Sequence, residues 1–233
     1  MLLKSGTWNI ASGLGPDLPA LAGLIQQQGL DLIGLQEVDR QTRRCPHAVA
    51  EELADYLGWQ VFFAPIFPLM GGEYGLALLS RWPLQARRVI HYRAKGAEPR
   101  ILQMAQLRLA PGIELTVVNT HLSFETPALR QQQMRQLQQE LAPVIGCQQP
   151  LLITGDFNTD QRVTEWADFK GPWQLTNGAA GQWQATFQDD DPAMRTRAID
   201  NILFANGPRL QRWQVETTPL SDHAMLRAEF QLG

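Results

Sequence analysis

Five short strand-like runs follow one another in the middle of the chain, and this pattern restricts the possible folds more than any other feature. Between about residues 60 and 120 the runs are WQVFFAP, YGLALLS, ARRVIHY, RILQMAQLRL and IELTVVNTHL. Pro and Gly residues separate them, and apolar runs with such breakers between them are typical of antiparallel strands joined by short connections. The sequence therefore predicts a meander of antiparallel strands over this stretch.

The segments on either side of this stretch alternate between helical and strand-like patterns. Val49, Leu53 and Leu57 have helical spacing, and Pro16 with Asp17 marks a helix start. We expect helices at 17–28, 47–57 and 126–146. We expect further strands at 2–9, 31–36, 150–154, 197–204, 209–217 and 223–230. Two blocks that each mix strands and helices predict an α/β (α+β) fold, with two packed sheets and helices outside them.

Length and composition indicate one globular domain that spans residues 1–233. No internal repeat or long linker interrupts the chain, and its 44% hydrophobic and 18% charged residues are an ordinary balance. No apolar run approaches the ~20 residues of a membrane helix, and the start MLLKSGTWNI lacks a signal-peptide core. The net charge of −3 argues against coating of long nucleic acid. We expect a cytoplasmic monomer without a membrane span.

Conspicuous polar residues stand at or beside one end of most apolar runs. In PLLITGDFNTD an apolar run leads into Gly155, Asp156 and Asn158. By itself this stretch indicates a turn that ends the strand at Gly155, with Asp160 as the cap of a short helix beginning near Gln161. The same arrangement recurs in TWN, LIGLQE, VVNTH, RAIDN and LSDH, which contain Asn9, Glu37, Asn119, His121, Asp200, Asn201, Asp222 and His223.

These strand ends would form one site if they met on one edge of two packed sheets. Such a site would contain several carboxylates, several amides and two histidines. Hard oxygen ligands of this kind suit Mg²⁺ or Mn²⁺ rather than Zn²⁺. A buried cluster of carboxylates without a cation would be costly. The pattern therefore predicts a metal-dependent site.

An ordered set of motifs over nearly the whole chain carries a family resemblance. TWNI, LQEVD, VVNTHL, GDFNTD, IDNILF and SDHAML, in that order, resemble the endonuclease/exonuclease/phosphatase superfamily. The resemblance implies a four-layer α/β/β/α sandwich of two mixed, largely antiparallel sheets and a metal-dependent phosphodiesterase or phosphatase activity. The motifs TWNI, QEV and GDFNTD are similar to those of the tyrosyl-DNA phosphodiesterase and small bacterial branches of the superfamily.

The resemblance implies which residues hold the metal and the substrate. Glu37 is the expected main Mg²⁺ (or Mn²⁺) ligand, assisted by Asn9, with Asp222 as a supporting or alternate ligand. Magnesium needs only one or two carboxylates besides water and substrate phosphate, so this small ligand set is chemically sensible. Tyr74 and Arg100 match positions where relatives place phosphate-facing residues, and we expect both to bind substrate.

The resemblance also implies the catalytic groups. Asp156 is expected to orient or deprotonate the attacking water, and Asn158 to donate a hydrogen bond to the phosphate. An extended backbone after the glycine would point both side chains the same way. His223, held by Asp200, is expected to contact the phosphate or to act as the base, and His121 to serve as an acid or phosphate donor. The sequence leaves open whether Asp156 or His223 is the base.

Two other functions fit part of the sequence. Gly13 and Gly15 begin a GxG before a strand that ends in Glu37, as in a dinucleotide-binding fold, but Leu18 occupies the third glycine position. A non-catalytic binding module with the same fold would lack at least one of the principal motif residues. All of these are present, and they are Asn9, Glu37, Asp156, Asn158, Asp200 and His223. The sequence therefore favours catalysis.

The substrate is the least determined feature. Phosphodiesters, including nucleic acids, are the first expectation, and phosphomonoesters or lipid and inositol phosphates are the alternative. Specificity is expected to lie in loops at 11–16, 65–74, 93–99, 122–127 and 170–196. Trp173, Trp183 and Phe187 in the last loop are interpreted as core, with stacking on a substrate ring as the alternative. Asn201 stands where the family usually has a tyrosine.

Overall fold

The computed structural model describes residues 1–93, 97–160, 173–188 and 197–233. Within these ranges the helices are α1 (Leu18–Gln27), α2 (Val49–Leu57) and α3 (Pro127–Gly146). The strands there are β1 (Leu2–Asn9), β2 (Leu32–Arg40), β3 (Gln60–Leu69), β4 (Gly72–Ser80), β5 (Gln85–His91), β6 (Ile101–Ala110), β7 (Ile113–His121), β8 (Leu151–Asp156), β9 (Gln174–Leu175), β10 (Asp200–Ala205), β11 (Arg209–Glu216) and β12 (Met225–Gln231). The helix expected near Gln161 lies outside the described residues.

The strands form two six-stranded mixed sheets. The first sheet has the order β11-β12-β1-β2-β4-β3, and the second has the order β5-β6-β7-β8-β10-β9. The pairs β1-β2 and β7-β8 are parallel, and the other pairs are antiparallel. The predicted antiparallel strands are present as β3–β4 and β5–β6–β7, but a continuous meander is wrong, because β3 and β4 belong to the first sheet and β5 to β7 belong to the second. The chain changes sheets after Ser80, where Pro83 interrupts strand pairing.

Helices cover the outer faces of both sheets. Leu21 and Ile25 of α1 and Leu53 of α2 pack with Trp8 and Ile33 of the first sheet. Buried side chains of α3 pack in the same way on the second sheet, and these are Met134, Leu137 and Leu141. A third apolar cluster fills the space between the sheets. The predicted four-layer α/β/β/α sandwich is therefore confirmed.

The longest described helix, α3, begins where the sequence provides a cap. The Thr126 hydroxyl accepts the backbone N–H of Leu129 at 3.3 Å, and Pro127 occupies the first turn. Only one face of α3 is apolar, and burial of each leucine there contributes roughly 1.5–3 kcal/mol. Among the helices in the described ranges, none combines the length and the apolar character needed to cross a membrane.

A polar seam crosses the otherwise apolar space between the sheets, and it consists of Thr7, Gln36, Gln103, Asn119 and Thr154. The fully buried Asn119 amide nitrogen donates to the backbone oxygens of residues 35 and 77 at 2.9 and 3.1 Å. Its oxygen accepts from Gln36 at 2.7 Å and from Thr154 at 3.2 Å. Asn119, one of the polar residues at the ends of apolar runs, therefore joins the two sheets.

A glycine permits the close approach of the sheets at this seam. A Cβ on Gly34 would lie 2.1 Å from the Thr154 hydroxyl oxygen and 2.7 Å from the Asn119 side-chain oxygen. Any larger residue would push the two sheets apart or displace the seam. The position of the sheets relative to each other is thus fixed beside the edge at which the functional residues meet.

Candidate active site

A cavity of about 660 Å³ opens where strand ends of both sheets meet. Eight of the ten predicted site residues line it, and these are Glu37, Tyr74, Arg100, His121, Asp156, Asn158, Asp222 and His223. The other two, Asn9 and Asp200, are buried and form hydrogen bonds with Asp156 and His223, respectively. The structure therefore brings all ten predicted residues together.

Asp156 lies at the centre of this group. One of its oxygens, Oδ2, is 3.1 Å from the Asn9 amide nitrogen, 3.4 Å from His121 Nε2 and 3.7 Å from His223 Nε2. The side chain is only 1% exposed. Burial and the nearby charge of Asp200 raise the pKa of Asp156 to about 7. Asp156 is thus a carboxyl group that can exchange a proton near neutral pH.

The backbone around Asp156 differs from the prediction. The strand continues through Gly155 and ends at Asp156. Glycine is required at 155 because a Cβ would lie 2.6 Å from the backbone oxygen of Thr120 on the neighbouring strand. Asn158 has a left-handed backbone with φ of 50°, so the expected extended geometry is wrong. A turn in which the Asn158 N–H donates to Asp156 Oδ1 at 2.9 Å replaces it.

This turn directs Asn158 toward His121. The Asn158 amide nitrogen donates to the backbone oxygen of Leu122 at 2.9 Å and is 2.9 Å from His121 Nε2. Burial and the charges of Arg100 and His223 lower the pKa of His121 well below its ordinary value. A neutral His121 that accepts at Nε2 carries its hydrogen on Nδ1, which is buried without a partner in the described ranges.

His223 and Asp200 form a buried pair. His223 Nδ1 is 2.9 Å from Asp200 Oδ2, and the two side chains are 5% and 0% exposed. Burial alone would lower the pKa of His223, but the charges of Asp200 and Asp156 outweigh it and raise that pKa to about 10. The ring also packs against Phe187, with the ring centroids 4.8 Å apart. His223 is therefore positioned as a cation beside Asp156.

Glu37 reaches the cavity from inside a strand and not from a strand end. The pairing of β2 with β4 shifts register between Leu35 and Val38, and Glu37 has φ of 55°. Such a bulge re-aims a side chain that regular pleating would place elsewhere. The Ser12 hydroxyl donates to the Glu37 backbone oxygen at 2.8 Å and supports this conformation. The predicted strand at 31–36 was therefore too short.

The donor set around Glu37 suits a divalent cation that prefers oxygen. Glu37 Oε1 and Asp156 Oδ2 both accept from the Asn9 amide nitrogen, at 3.0 and 3.1 Å, so the two carboxylates converge on one point. The Asn9 side-chain oxygen accepts the N–H of Ala11 at 3.1 Å, so its NH₂ group is the end that points toward the two carboxylates. Asp222 lies on the cavity wall, where its carboxylate accepts from the Ser221 hydroxyl at 3.3 Å.

A second possible ligand group consists of Asp156, Asp200 and His223, whose potential ligand atoms lie within 4.8 Å of one another. Asp200 Oδ1 in this group is buried without a partner in the part of the chain that the structure describes. However, His223 Nδ1 is already hydrogen-bonded to Asp200 Oδ2, and an imidazole nitrogen suits Mg²⁺ or Mn²⁺ less well than an oxygen does. The Glu37 and Asp156 side of the cavity therefore fits Mg²⁺ or Mn²⁺ better.

Arg100 and Tyr74 line the wall of the cavity. Arg100 is 3% exposed and pairs with Glu98, with Nη2 and Oε1 separated by 3.0 Å. Its Nε and Nη1 groups are buried and have no partner among the described residues. The Tyr74 ring stacks on Phe67 with a centroid distance of 5.1 Å, and burial raises the pKa of the Tyr74 hydroxyl. Arg100 thus offers unused N–H groups, and Tyr74 stays uncharged.

Several cavity residues are missing from the predicted site. Phe124 and Phe187 line the cavity from loops that were expected to form the rim, and the interpretation of Phe187 as core is wrong because it packs on the His223 ring at the cavity wall. Arg44 was not predicted at all, although it follows the LQEVD motif closely. Trp173 packs with the apolar cluster under α3, as expected for core.

Asn201 has a structural role. Its side-chain oxygen accepts the backbone N–H of Asn177 at 3.0 Å, and its amide nitrogen donates to the Asn177 backbone oxygen at 2.8 Å. It is fully buried, and it links β10 to the loop that follows β9. Asn201, which stands where the family usually has a tyrosine, does not line the cavity in the described part of the chain.

The fold is a two-sheet α/β sandwich, and its carboxylates and histidines form a polar site at one shared edge of the sheets. The sequence model of the Endonuclease/Exonuclease/phosphatase family matches residues 6–223, and the chain belongs to that family. Its members are generally phosphoester hydrolases and typically use divalent metal ions.

Solved structures with the same fold cover nearly the whole chain. An endonuclease/exonuclease/phosphatase family protein from Bacteroides thetaiotaomicron has a TM-score of 0.81 at 18% identity, covering 99% of this chain and 97% of that one. The mannosyl-6-phosphatase Bt3783 of the same species has a TM-score of 0.79 at 18% identity, covering 99% and 100%. Truncated TDP2 from Caenorhabditis elegans has a TM-score of 0.77 at 19% identity, covering 99% and 97%.

Proposed function

We propose that this protein is a Mg²⁺- or Mn²⁺-dependent hydrolase that cleaves a phosphoester bond by attack of water on phosphorus. The observation that carries the proposal is the convergence of Glu37 and Asp156 on the Asn9 amide beside the His223–Asp200 pair. When bound at Glu37, the metal ion would polarise a phosphoryl oxygen and offset charge that develops in the transition state.

Asp156 is the proposed base. Burial and the charge of Asp200 raise its pKa above the ordinary carboxyl value, which makes it a stronger base toward water. His223 is proposed as the cation that binds the phosphate, because the carboxylates of Asp200 and Asp156 keep it protonated. Asn158 and the neutral His121 share a hydrogen bond beside Asp156 and are proposed to contact the leaving group or the phosphate.

Small or locally exposed phosphodiesters are the proposed substrate class. The cavity volume of about 660 Å³ is in the range of small-molecule sites. The net charge of −3 gives no support for broad binding of duplex nucleic acid. We further propose that residues 1–233 act as one monomeric catalytic domain in the cytoplasm, and analytical ultracentrifugation would test the monomer.

Phosphomonoester hydrolysis is a second candidate, and one observation favours it. Arg100 keeps two buried N–H groups without a partner in the described ranges, and a terminal phosphate offers more oxygens to such donors than a diester does. The mannosyl-6-phosphatase Bt3783 shares the fold. A screen of both ester types is therefore required.

The test is a hydrolysis screen with the metal varied. Purified protein with Mg²⁺, Mn²⁺ or EDTA is given bis-p-nitrophenyl phosphate, p-nitrophenyl phosphate, oligonucleotides, and inositol and sphingolipid phosphodiesters. We expect metal-dependent turnover that Asp156→Asn reduces by roughly 10³-fold or more, because proton transfer contributes about 10²–10⁴-fold. Arg108→Gln, an exposed change at a surface ion pair, is the control. If no ester is cleaved with either metal, the proposal is wrong.

A further inference from the structure

Arg44 is held rigidly at the cavity wall by a buried carboxylate. Its Nε and Nη2 groups donate to the two oxygens of Asp39, each at 2.7 Å. Asp39 is 0% exposed and also accepts from the Thr42 hydroxyl at 2.6 Å, and the Ser12 hydroxyl oxygen lies 3.2 Å from its Oδ1. Despite burial, these bonds together lower the pKa of Asp39. The pair therefore stays charged, and the fork geometry fixes the direction of the guanidinium.

The surrounding chain leaves room for this guanidinium. A Cβ on Gly13 would lie 2.5 Å from Arg44 Cζ, so the glycine backbone packs directly on the guanidinium group. On another side, Arg44 Cζ is 5.7 Å from the centroid of the Tyr74 ring. Phe67, which stacks on Tyr74, also lines the cavity. This wall thus combines one oriented cation with an aromatic surface.

The Asp39 carboxylate binds only part of the Arg44 guanidinium group. The two groups bonded to Asp39 leave Nη1 without a hydrogen bond in the described part of the chain. Arg44 is the exposed member of the pair, with 35% of its side chain accessible against 0% for Asp39. It lines the same cavity as Glu37, Asp156 and His223. The positive end of the pair therefore faces the space in which a substrate would lie.

We propose that Arg44 binds a second anionic group of the substrate, distinct from the phosphate that reacts, while Tyr74 and Phe67 contact the part that carries it. The substrate class is then a phosphoester with a further phosphate or carboxylate. This inference rests on the proposed phosphoesterase function. In this proposal Arg44 determines which substrates bind, and it takes no part in bond cleavage.

The test compares inhibitors that differ by one anionic group. Terminal bisphosphates of propanediol, pentanediol and octanediol and the matching monophosphates are titrated against hydrolysis of the best substrate from the screen. We expect at least one bisphosphate to bind the wild type about tenfold more tightly than its monophosphate, as one charge-assisted hydrogen bond allows. Arg44→Gln should reduce this advantage to about twofold or less, with monophosphate inhibition nearly unchanged.

Two further variants separate recognition from folding. Asp39→Asn combined with Arg44→Gln removes the charges of both partners together, so no unpaired buried carboxylate remains, and we expect it to fold even if Arg44→Gln alone is unstable. This double variant should still lack the bisphosphate advantage, whereas Arg108→Gln should keep it. Equal inhibition by both inhibitor types for every spacer, or an advantage that survives in the double variant, would overturn the role of Arg44. Absence of hydrolysis of any ester would instead contradict the proposed function itself.

Discussion

Asp200→Asn provides the sharpest test of the buried His223–Asp200 pair. The Nδ1 to Oδ2 distance is 2.9 Å, and neither side chain has appreciable contact with solvent. Raising the pKa of His223 from 6.5 to about 10 corresponds to roughly 5 kcal/mol in favour of the protonated ring. Without the Asp200 charge, burial should dominate, and the pKa of His223 should fall well below 10 although Asp156 is still present.

The sign of the effect on stability follows from the same shift. Because the folded-state pKa of His223 is raised, its contribution to stability is complete below about pH 6.5 and is lost as the pH rises through about 10. The difference in unfolding free energy between the wild type and Asp200→Asn should therefore be largest near pH 6 and shrink toward about pH 10. Urea unfolding at several pH values measures this difference.

The assay for the pKa itself is proton NMR of the histidine rings in EDTA. The chain has 4 histidines, so the spectrum of His223→Gln assigns the signal of interest. His47, with 49% of its side chain exposed, is the internal control, and its signals in the wild type and in Asp200→Asn should coincide. A His223 midpoint near 6.5 in the wild type, or one that Asp200→Asn leaves in place, would refute the reasoning.

Three other changes test separate parts of the site and its scaffold. Glu37→Ala should weaken the Mg²⁺ dependence of turnover, and an unchanged titration would remove Glu37 as a ligand. Alanine at Asp200 or His223 should each nearly abolish turnover while the double change adds little; multiplicative losses would argue against a functional pair. Asn119→Leu should lower the free energy of unfolding in urea by roughly 3–5 kcal/mol, because the buried carbonyls of residues 35 and 77 lose their donor. A decrease below about 1 kcal/mol would contradict a stabilising role of the seam.

Sequence patterns predicted the parts of the fold and site that depend on local order along the chain. The apolar runs predicted the strands, and polar residues at run ends such as Asn9, His121, Asp156 and His223 do meet at one edge. The reason is physical, because the ends of neighbouring strands in packed sheets lie close together. The family resemblance supplied the four-layer arrangement, which composition alone could not determine.

Features that depend on contact between distant segments could not be predicted from the sequence. Glu37 lies at a bulge, and the alternation of apolar residues does not indicate where a strand gains an extra residue. Asn119 stands near a strand end, as the site residues do, but it bonds to the opposite sheet, and no local pattern reveals those partners. Arg44 is recognisable only once Asp39 is known to be buried. The division of the predicted meander between two sheets has the same cause.

The polar seam divides the molecule into positions with very different freedom to vary. Each seam residue shares a buried hydrogen bond with at least one other seam residue, so a change at one would require compensation at its partner. Phe67, Leu69 and Phe124 line the cavity outside the seam, and Phe124 is 61% exposed. A combinatorial library restricted to these wall positions should therefore alter substrate choice without loss of foldability. The same library placed on the seam should instead yield mostly unfolded variants, because buried donors and acceptors there would lose their partners.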